Sequence, residues 1–254
     1  MSLAIAAVLA ASGFAAGFFD SIVGGSGVIT LPALLWAGLP PHQALGTNKL
    51  ASAFASSTGS AAYLRSGHLD RRFLAWLIPF AFIGALAGAQ TVLRIEQTYL
   101  KWIIFAVIVV IAGLTATRRR LGDENRFPGV SAATVAPGAA IALLLGFYDG
   151  FIGPGTGSFL LFAFLSVFRF DFITAAGNGR VLNFTSNAAA LLLFALRGKV
   201  AYPAGLPMAL GMMAGARLGS RLAIRRGAPF IRPLFVLVSL ALAVRTGWSA
   251  FTTH

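Results

Sequence analysis

The sequence predicts an all-α integral membrane protein made of two homologous, inverted repeats of helical spans, and three observations carry that prediction. Hydrophobic residues make up 57% of the chain and charged residues only 11%, about half the charged share of a soluble domain. Apolar segments recur at 3–19, 74–93, 102–117, 132–148 and 234–244, several of them near the ~20 residues that a helix needs to cross the hydrocarbon core. A glycine-rich stretch, GFFDSIVGGSG at 17–27, returns as GFYDGFIGPGTG at 146–157, aligning Asp20 with Asp149 and Gly24 with Gly153 at an offset of 129.

In chain order, an apolar helix over 3–19 is expected to break at Asp20 and through Gly24, Gly25 and Gly27, then resume over 28–37. Gly38 to Pro41 ends that piece. A third helix over 44–64 carries Thr47, Asn48, Lys49, Ser52, Ser56, Ser57, Thr58 and Ser60, too polar for lipid and therefore expected inside the protein. A basic loop at 65–72, a span at 74–93, a second loop at 94–101 and a span at 102–117 stopped by Arg118, Arg119 and Arg120 complete the half. This places the first repeat at 1–120, a cytoplasmic linker at 121–129 and the second repeat at 130–254, with eight to ten helical segments in all.

Beyond the glycine loops the offset settles at 131, which sets Gly46 on Gly177, Lys49 on Arg180, Gly67 on Gly198, Gly84 on Gly215 and Gly88 on Gly219. Small residues four apart, as in Gly84/Gly88 and Gly211/Gly215/Gly219, let helices approach closely in lipid, and tight packing is their simplest role. Basic residues concentrate in 65–72 and the linker in the first half, but in the other connection, with Arg221, Arg225, Arg226 and Arg232, in the second. By the positive-inside rule, equivalent loops then face opposite sides, with the linker and the Gly67 and Gly227 loops cytoplasmic and the Gln97 and Gly198 connections outside. That is the pattern of inverted repeats, which requires an odd number of crossings per half. Four crossings per half would instead make the repeats parallel.

The formal charge of +13 does not point to nucleic acid, because the basic residues sit in short connections where the membrane interface holds them. No Lys or Arg precedes Lys49, so the first apolar run lacks the basic opening of a signal peptide and is expected to stay as a helix. The chain has no Cys, which removes disulfides and thiolate metal sites. His42, His68 and His254 do not cluster and are expected as solvated loop residues.

Glycine-interrupted helices in a bilayer persist only where they are buried in protein or line a wet cavity, and two breaks at corresponding positions point to a substrate site near the midplane. A helix restarting after Gly27 or Gly157 presents free N–H groups and a dipole that favours an anion, and Ser26 and Thr156 add hydroxyls. The plainer reading is that these glycines only permit a kink. In the second half, Arg180, Asn183 and Asn187 stand at i, i+3 and i+7 on one helix face, and Lys49, Ser52 and Ser56 take the aligned positions in the first. A buried cation in each half costs several kcal/mol unless something negative or wet compensates it. Lys49 and Arg180 therefore bind an anion, snorkel to the interface, or pair with Asp20 and Asp149.

Nearly the whole chain resembles the sulfite exporter TauE/SafE family, also called the toluene sulfonate uptake permease family. The resemblance is carried by GFYDGFIGPGTGSF at 146–159 and RVLNFTSNAAAL at 180–191, with GGSGVITLPAL and ALGTNKLAS in the first half. Two positions depart from the commoner pattern: Ser26 in a run that is often all glycine, and Gly179-Arg180 where an Ala-Lys pair is common. Arg keeps the charge but binds bidentately, so these departures bear on which substrate is taken.

The resemblance implies a secondary transporter of small sulfur-containing anions such as sulfite, sulfoacetate or other organosulfonates, a multi-pass protein of the cell (inner) membrane working by alternating access. The substrate-binding set is then Gly25, Ser26, Gly27, Thr47, Asn48, Lys49, Gly155, Thr156, Gly157, Asn178, Arg180, Asn183 and Asn187. Asp20 and Asp149 are either proton-coupling groups or structural caps and ion-pair partners. No GxxxxGK[ST] loop is present, so no ATP motor is expected. With no nucleophile–base pair and no metal cluster, an enzyme is not expected, and no cofactor or metal is called for. The expected partners are the anion and the lipid bilayer, with a homodimer allowed. A passive anion channel or a carrier of another small oxyanion is the alternative.

Overall fold

The computed structural model describes residues 1–100, 102–103 and 124–227. Among them are eight helices of ten residues or more and no strand. They are α1 (Leu3–Val23), α2 (Gly27–Trp36), α3 (Pro41–Arg65), α4 (Arg71–Val92), α5 (Ala132–Phe151), α6 (Thr156–Ser166), α7 (Phe172–Leu196) and α8 (Tyr202–Arg226). Four of them, α1, α4, α5 and α7, are long and apolar enough to cross a membrane. Their outer faces leave Trp76, Ile83, Leu144 and Leu192 exposed, as contact with lipid tails allows. The expected spans at 102–117 and 234–244 lie largely or wholly outside the described residues.

The helices run further than the sequence pattern suggests. Neither acid breaks its helix: α1 continues past Asp20 to Val23 and α5 past Asp149 to Phe151. Asp and Gly lower helix propensity only weakly, and the tight packing of these two helices overrides that preference. Pro41 opens α3 at its first turn, where a missing N–H costs nothing. The basic loop at 65–72 shrinks to five residues, because Arg65 closes α3 and Arg71 and Arg72 open α4 behind the cap of Asp70, whose Oδ1 accepts from Phe73 N–H at 2.9 Å.

Glycine decides which helices touch. A Cβ on Gly13 or Gly17 of α1 would collide with the backbone of Met208 or Met212 in α8, and one on Gly211 or Gly215 with the backbone of Ala10 or Phe14. In the same way Gly84 and Gly88 of α4 lie against the backbone of Leu143 and Phe147 in α5. Both contacts advance in step along the two chains, so α1 runs parallel to α8, and α4 parallel to α5. Such approach maximises dispersion contact between helices where lipid offers no hydrophobic drive.

The two long polar helices, α3 and α7, form the middle. The start of α3 meets the end of α7, with Gly46 against the Lys199 carbonyl, and the start of α7 meets the end of α3, with Gly177 against Tyr63 and the His68 carbonyl. These two helices are therefore antiparallel. Two side-chain ties mark their ends: Thr47 Oγ1 accepts from Ala201 N–H at 2.9 Å, and Asn178 Oδ1 accepts from Asp70 N–H at 3.0 Å. Each tie secures the residue that caps the start of the next helix, α8 or α4.

The remaining core is apolar. Phe73, Phe164, Phe168 and Phe170 cluster beside α5 and α7, and Phe127 of the linker stacks on Phe170 with ring centroids 4.3 Å apart. Arg126 N–H donates to the Arg169 carbonyl at 2.8 Å, so this end of the linker is fastened to the α6–α7 connection. His42 corrects an expectation: it is buried, with Nε2 3.0 Å from the Val92 carbonyl. Its place in the first turn of α3, inward of Pro41, puts the ring against the end of α4. His68 is half-buried, with Nδ1 3.0 Å from Ser66 Oγ.

Candidate functional site

The breaks after α1 and α5 are short and lie against one another. Gly24 (φ 86°) and Gly25 (φ 103°) turn the chain between α1 and α2, and Gly153 (φ 92°) and Gly155 (φ 82°) turn it between α5 and α6. At Gly24 no side chain fits, since a Cβ would run into the backbone of Gly157 and Ser158. The starts of α2 and α6 therefore meet, and their first turns bond back onto the breaks: Val28 N–H donates to the Gly25 carbonyl, Ile29 and Thr30 N–H to the Ser26 carbonyl, and Thr156 N–H to the Gly153 carbonyl. α2 and α6 are themselves apolar, so only their ends carry polar function here.

Beside this meeting point, each half contributes a cation at the ninth position of a 25-residue helix, Lys49 on α3 and Arg180 on α7. Lys49 is 1% exposed and Arg180 5%, so neither side chain reaches the interface. Their partners lie across the halves. Lys49 Nζ donates to Asp149 Oδ1 at 2.8 Å, and Arg180 Nη1 donates to Asp20 Oδ2. Both carboxylates are as deeply buried, at 3% for Asp20 and 2% for Asp149. Removing such charges from water costs several kcal/mol per ion, which only close pairing and added hydrogen bonds offset.

The added hydrogen bonds are present and differ between the pairs. Asp20 Oδ1 accepts from Ser26 N–H at 3.1 Å, so an acid in the last turn of α1 also caps the start of α2. Asp149 Oδ2 accepts from the hydroxyl of Ser186 and, at 3.5 Å, from Asn183 Nδ2. Lys49 Nζ also donates to Asn187 Oδ1 at 3.2 Å, and Asn187 Nδ2 donates to the Asn183 carbonyl at 2.7 Å. Arg180 Nε is buried and has no hydrogen-bond partner among the described residues.

A small polar cavity lies among these groups, lined by Asp20, Gly25, Ser26, Gly27, Asn48, Ser52, Asp149, Gly153, Gly157, Asn183 and Asn187. Its free volume is about 10 Å³, room for a single water. Asn48 Oδ1 accepts from Thr30 Oγ1 at 2.6 Å and at 3.5 Å from Ser52 Oγ, which leaves its amide N–H₂ for the cavity. The Ser26 hydroxyl makes no capping bond. The Thr156 hydroxyl is committed, donating to the Gly153 carbonyl at 2.8 Å.

Most of the residues singled out in the sequence thus converge. Gly25, Ser26, Gly27, Asn48, Gly157, Asn183 and Asn187 line the cavity, and Lys49 and Arg180 stand behind its carboxylates. Gly155 and Thr156 shape the turn into α6. Thr47 and Asn178 lie away from the cavity and hold the starts of α8 and α4. Sequence reasoning missed Ser186 and Thr30. Ser186 follows Asn183 by three residues on the polar face of α7, and that spacing could have flagged it. Its counterpart in the first repeat is Ala55, so comparing the repeats hid it. Thr30 sits in an apolar run with nothing to mark it.

A helical bundle with several membrane-length helices, two broken segments and a buried charged site between them defines a membrane transporter. The chain belongs to the sulfite exporter TauE/SafE family, whose model matches residues 9–246. Among relatives, it is 40% identical over 243 residues to a probable membrane transporter protein, ORF9, of Sinorhizobium sp, covering 94% of this chain and 91% of the relative. It is 36% identical over 249 residues to a probable membrane transporter protein of Haemophilus influenzae, covering 96% and 97%. It is 37% identical over 233 residues to the probable membrane transporter protein YfcA of Escherichia coli, covering 91% and 85%. No solved structure matches the chain.

Proposed function

We propose that the protein is a secondary transporter that moves a small sulfur-containing anion, such as sulfite, sulfoacetate or another organosulfonate, across the inner membrane by alternating access. The observation that carries this reading is the convergence of two helix starts on one buried polar cavity whose carboxylates, Asp149 and Asp20, are held by the buried cations Lys49 and Arg180. Helix starts, through their dipoles, and fixed cations are the groups that hold an oxyanion. The family's description as a sulfite exporter supports the choice of sulfur oxyanions.

The antiparallel run of α3 and α7, which stand at aligned positions of the two halves, supports an inverted relation between repeats at 1–120 and 130–254. A site shared by inverted halves can face either side of the membrane in turn. With room for one water, the cavity must widen before an anion enters. Opening in this reading separates the turn at Gly24 from the start of α6 at Gly157, which meet backbone to backbone and are joined by the Ser158 hydroxyl donating to the Gly24 carbonyl at 3.4 Å.

Reconstitution into proteoliposomes tests this. Preloaded unlabelled sulfite, sulfoacetate, thiosulfate or sulfate should drive saturable uptake of the same labelled anion by counterflow for at least one sulfur anion. Flux that is linear in concentration and shows no counterflow would make the protein a channel, and absence of flux for all four would remove sulfur oxyanions as substrates.

A further inference from the structure

We propose that the transport cycle carries a proton on Asp149 of the Lys49–Asp149 pair, while the Arg180–Asp20 pair stays ionised throughout, so that one monovalent anion moves with one proton. This rests on the transporter reading above and adds the coupling ion and its position. The starting point is a difference between two ion pairs that occupy aligned places in the two halves.

Arginine does not give up its proton in proteins, whereas a lysine ammonium and a carboxylate can exchange one. The surroundings of the acids differ in the same sense. The Asp20 carboxylate meets Ser26 N–H and the Arg180 guanidinium, and both are donors with no capacity to accept. A proton on Asp20 would face two donors. The Asp149 carboxylate meets the Ser186 hydroxyl, which lies also 3.1 Å from the Asn183 carbonyl. A hydroxyl rotates. With Asp149 ionised, Ser186 donates to it. With Asp149 protonated, the acid donates to Ser186 Oγ, and Ser186 turns its own proton to the Asn183 carbonyl. The position aligned with Ser186 in the first half is Ala55, which has no hydroxyl to offer.

Charge balance gives the stoichiometry. Lys49, Arg180, Asp20 and Asp149 sum to zero, and among the described residues they are the charged groups that meet here, from α3, α7, α1 and α5. α2 and α6 bring no ionisable residue. Tyr148 turns its hydroxyl away to the Pro154 carbonyl, and Tyr63, on the Arg180 side, donates to the Ser21 carbonyl. An arriving monoanion, such as hydrogensulfite or a monosulfonate, adds one negative charge and takes the Lys49 ammonium from Asp149. A proton from the same aqueous face then joins Asp149 at Oδ2, where Ser186 Oγ turns to accept its hydrogen bond, and the site is neutral again. On the far side the anion leaves, the proton leaves, and the Lys49–Asp149 pair re-forms.

Infrared difference spectroscopy of the purified full chain between neutral and acid pH tests the assignment without a substrate. The wild type should gain the carbonyl stretch of one buried carboxylic acid. That band should vanish in Asp149→Asn and persist in Asp20→Asn. Ser186→Ala, a milder change, should shift its frequency, and Ser26→Ala should leave it in place. A band that survives Asp149→Asn, disappears in Asp20→Asn, or is missing from the wild type overturns the proposal. Failure of sulfur-anion counterflow would instead strike the transporter reading and leave this spectroscopic result standing.

Discussion

Lys49 and Asp149, a hundred residues apart in the chain, form a 2.8 Å ion pair that is almost wholly out of water. Its counterpart joins Arg180 to Asp20. Each half of the chain therefore neutralises a charge of the other, and pulling the two pairs apart would leave four ions unpaired in an apolar interior.

Breaking the pair from one side should be worse than removing it. Lys49→Ala leaves Asp149 without its cation and should cost about 3–5 kcal/mol, whereas Lys49→Met with Asp149→Leu should cost markedly less. Thermal unfolding in detergent, read as a double-mutant cycle, checks this. A double variant no more stable than Lys49→Ala would mean that the ions do not see each other.

Gly153 should tolerate no side chain. Its φ is 92°, and a Cβ would stand 2.7 Å from Lys49 Nζ and 2.6 Å from Asp149 Oδ1. Gly38 has a similar φ of 88° but open space around it. Gly38→Ala should show only the backbone penalty, roughly 1–3 kcal/mol, with transport kept. Gly153→Ala should carry that penalty and also abolish flux. Equal flux in the two variants would separate the ion pair from transport.

Gly59 makes room for the guanidinium. A Cβ there would lie 3.1 Å from both Cγ and Cδ of Arg180. Gly59→Ala should therefore slow transport, and the slimmer side chain of Arg180→Lys should recover part of the loss in the double variant. No recovery would place the effect of Gly59 in helix packing and not in arginine placement.

Thr47 and Asn178 should act on stability. Thr47→Ala removes the acceptor for Ala201 N–H and Asn178→Ala the acceptor for Asp70 N–H, each worth about 1 kcal/mol. Thermal unfolding should register the loss while the concentration for half-maximal flux stays put. A change in that concentration would return them to the substrate site.

The absence of cysteine makes topology directly testable. Gly67 and Gly198, both with open surroundings, should be labelled by an impermeant thiol reagent from opposite faces once replaced singly by Cys. Labelling from one face would make the repeats parallel.

What the sequence by itself determined is whatever depends on local chemistry: the helical class and membrane residence from composition, the two breaks from glycine, and the two polar faces from their spacing along α3 and α7. Glycine and charge are legible because their backbone freedom and desolvation cost do not depend on distant neighbours. The helix ends were less legible, since packing of α1 on α8 and α5 on α4 carries both helices past their acids. The tertiary structure alone decided the pairing. Snorkelling, anion binding and pairing with an acid were all open to Lys49 and Arg180 on sequence grounds, and the crossing of the two halves chose acids from the opposite half. It also turned Thr47 and Asn178 away and brought Ser186 in, because which face of a polar helix meets which neighbour is set by how the halves interlock, and a single chain's spacing does not contain it.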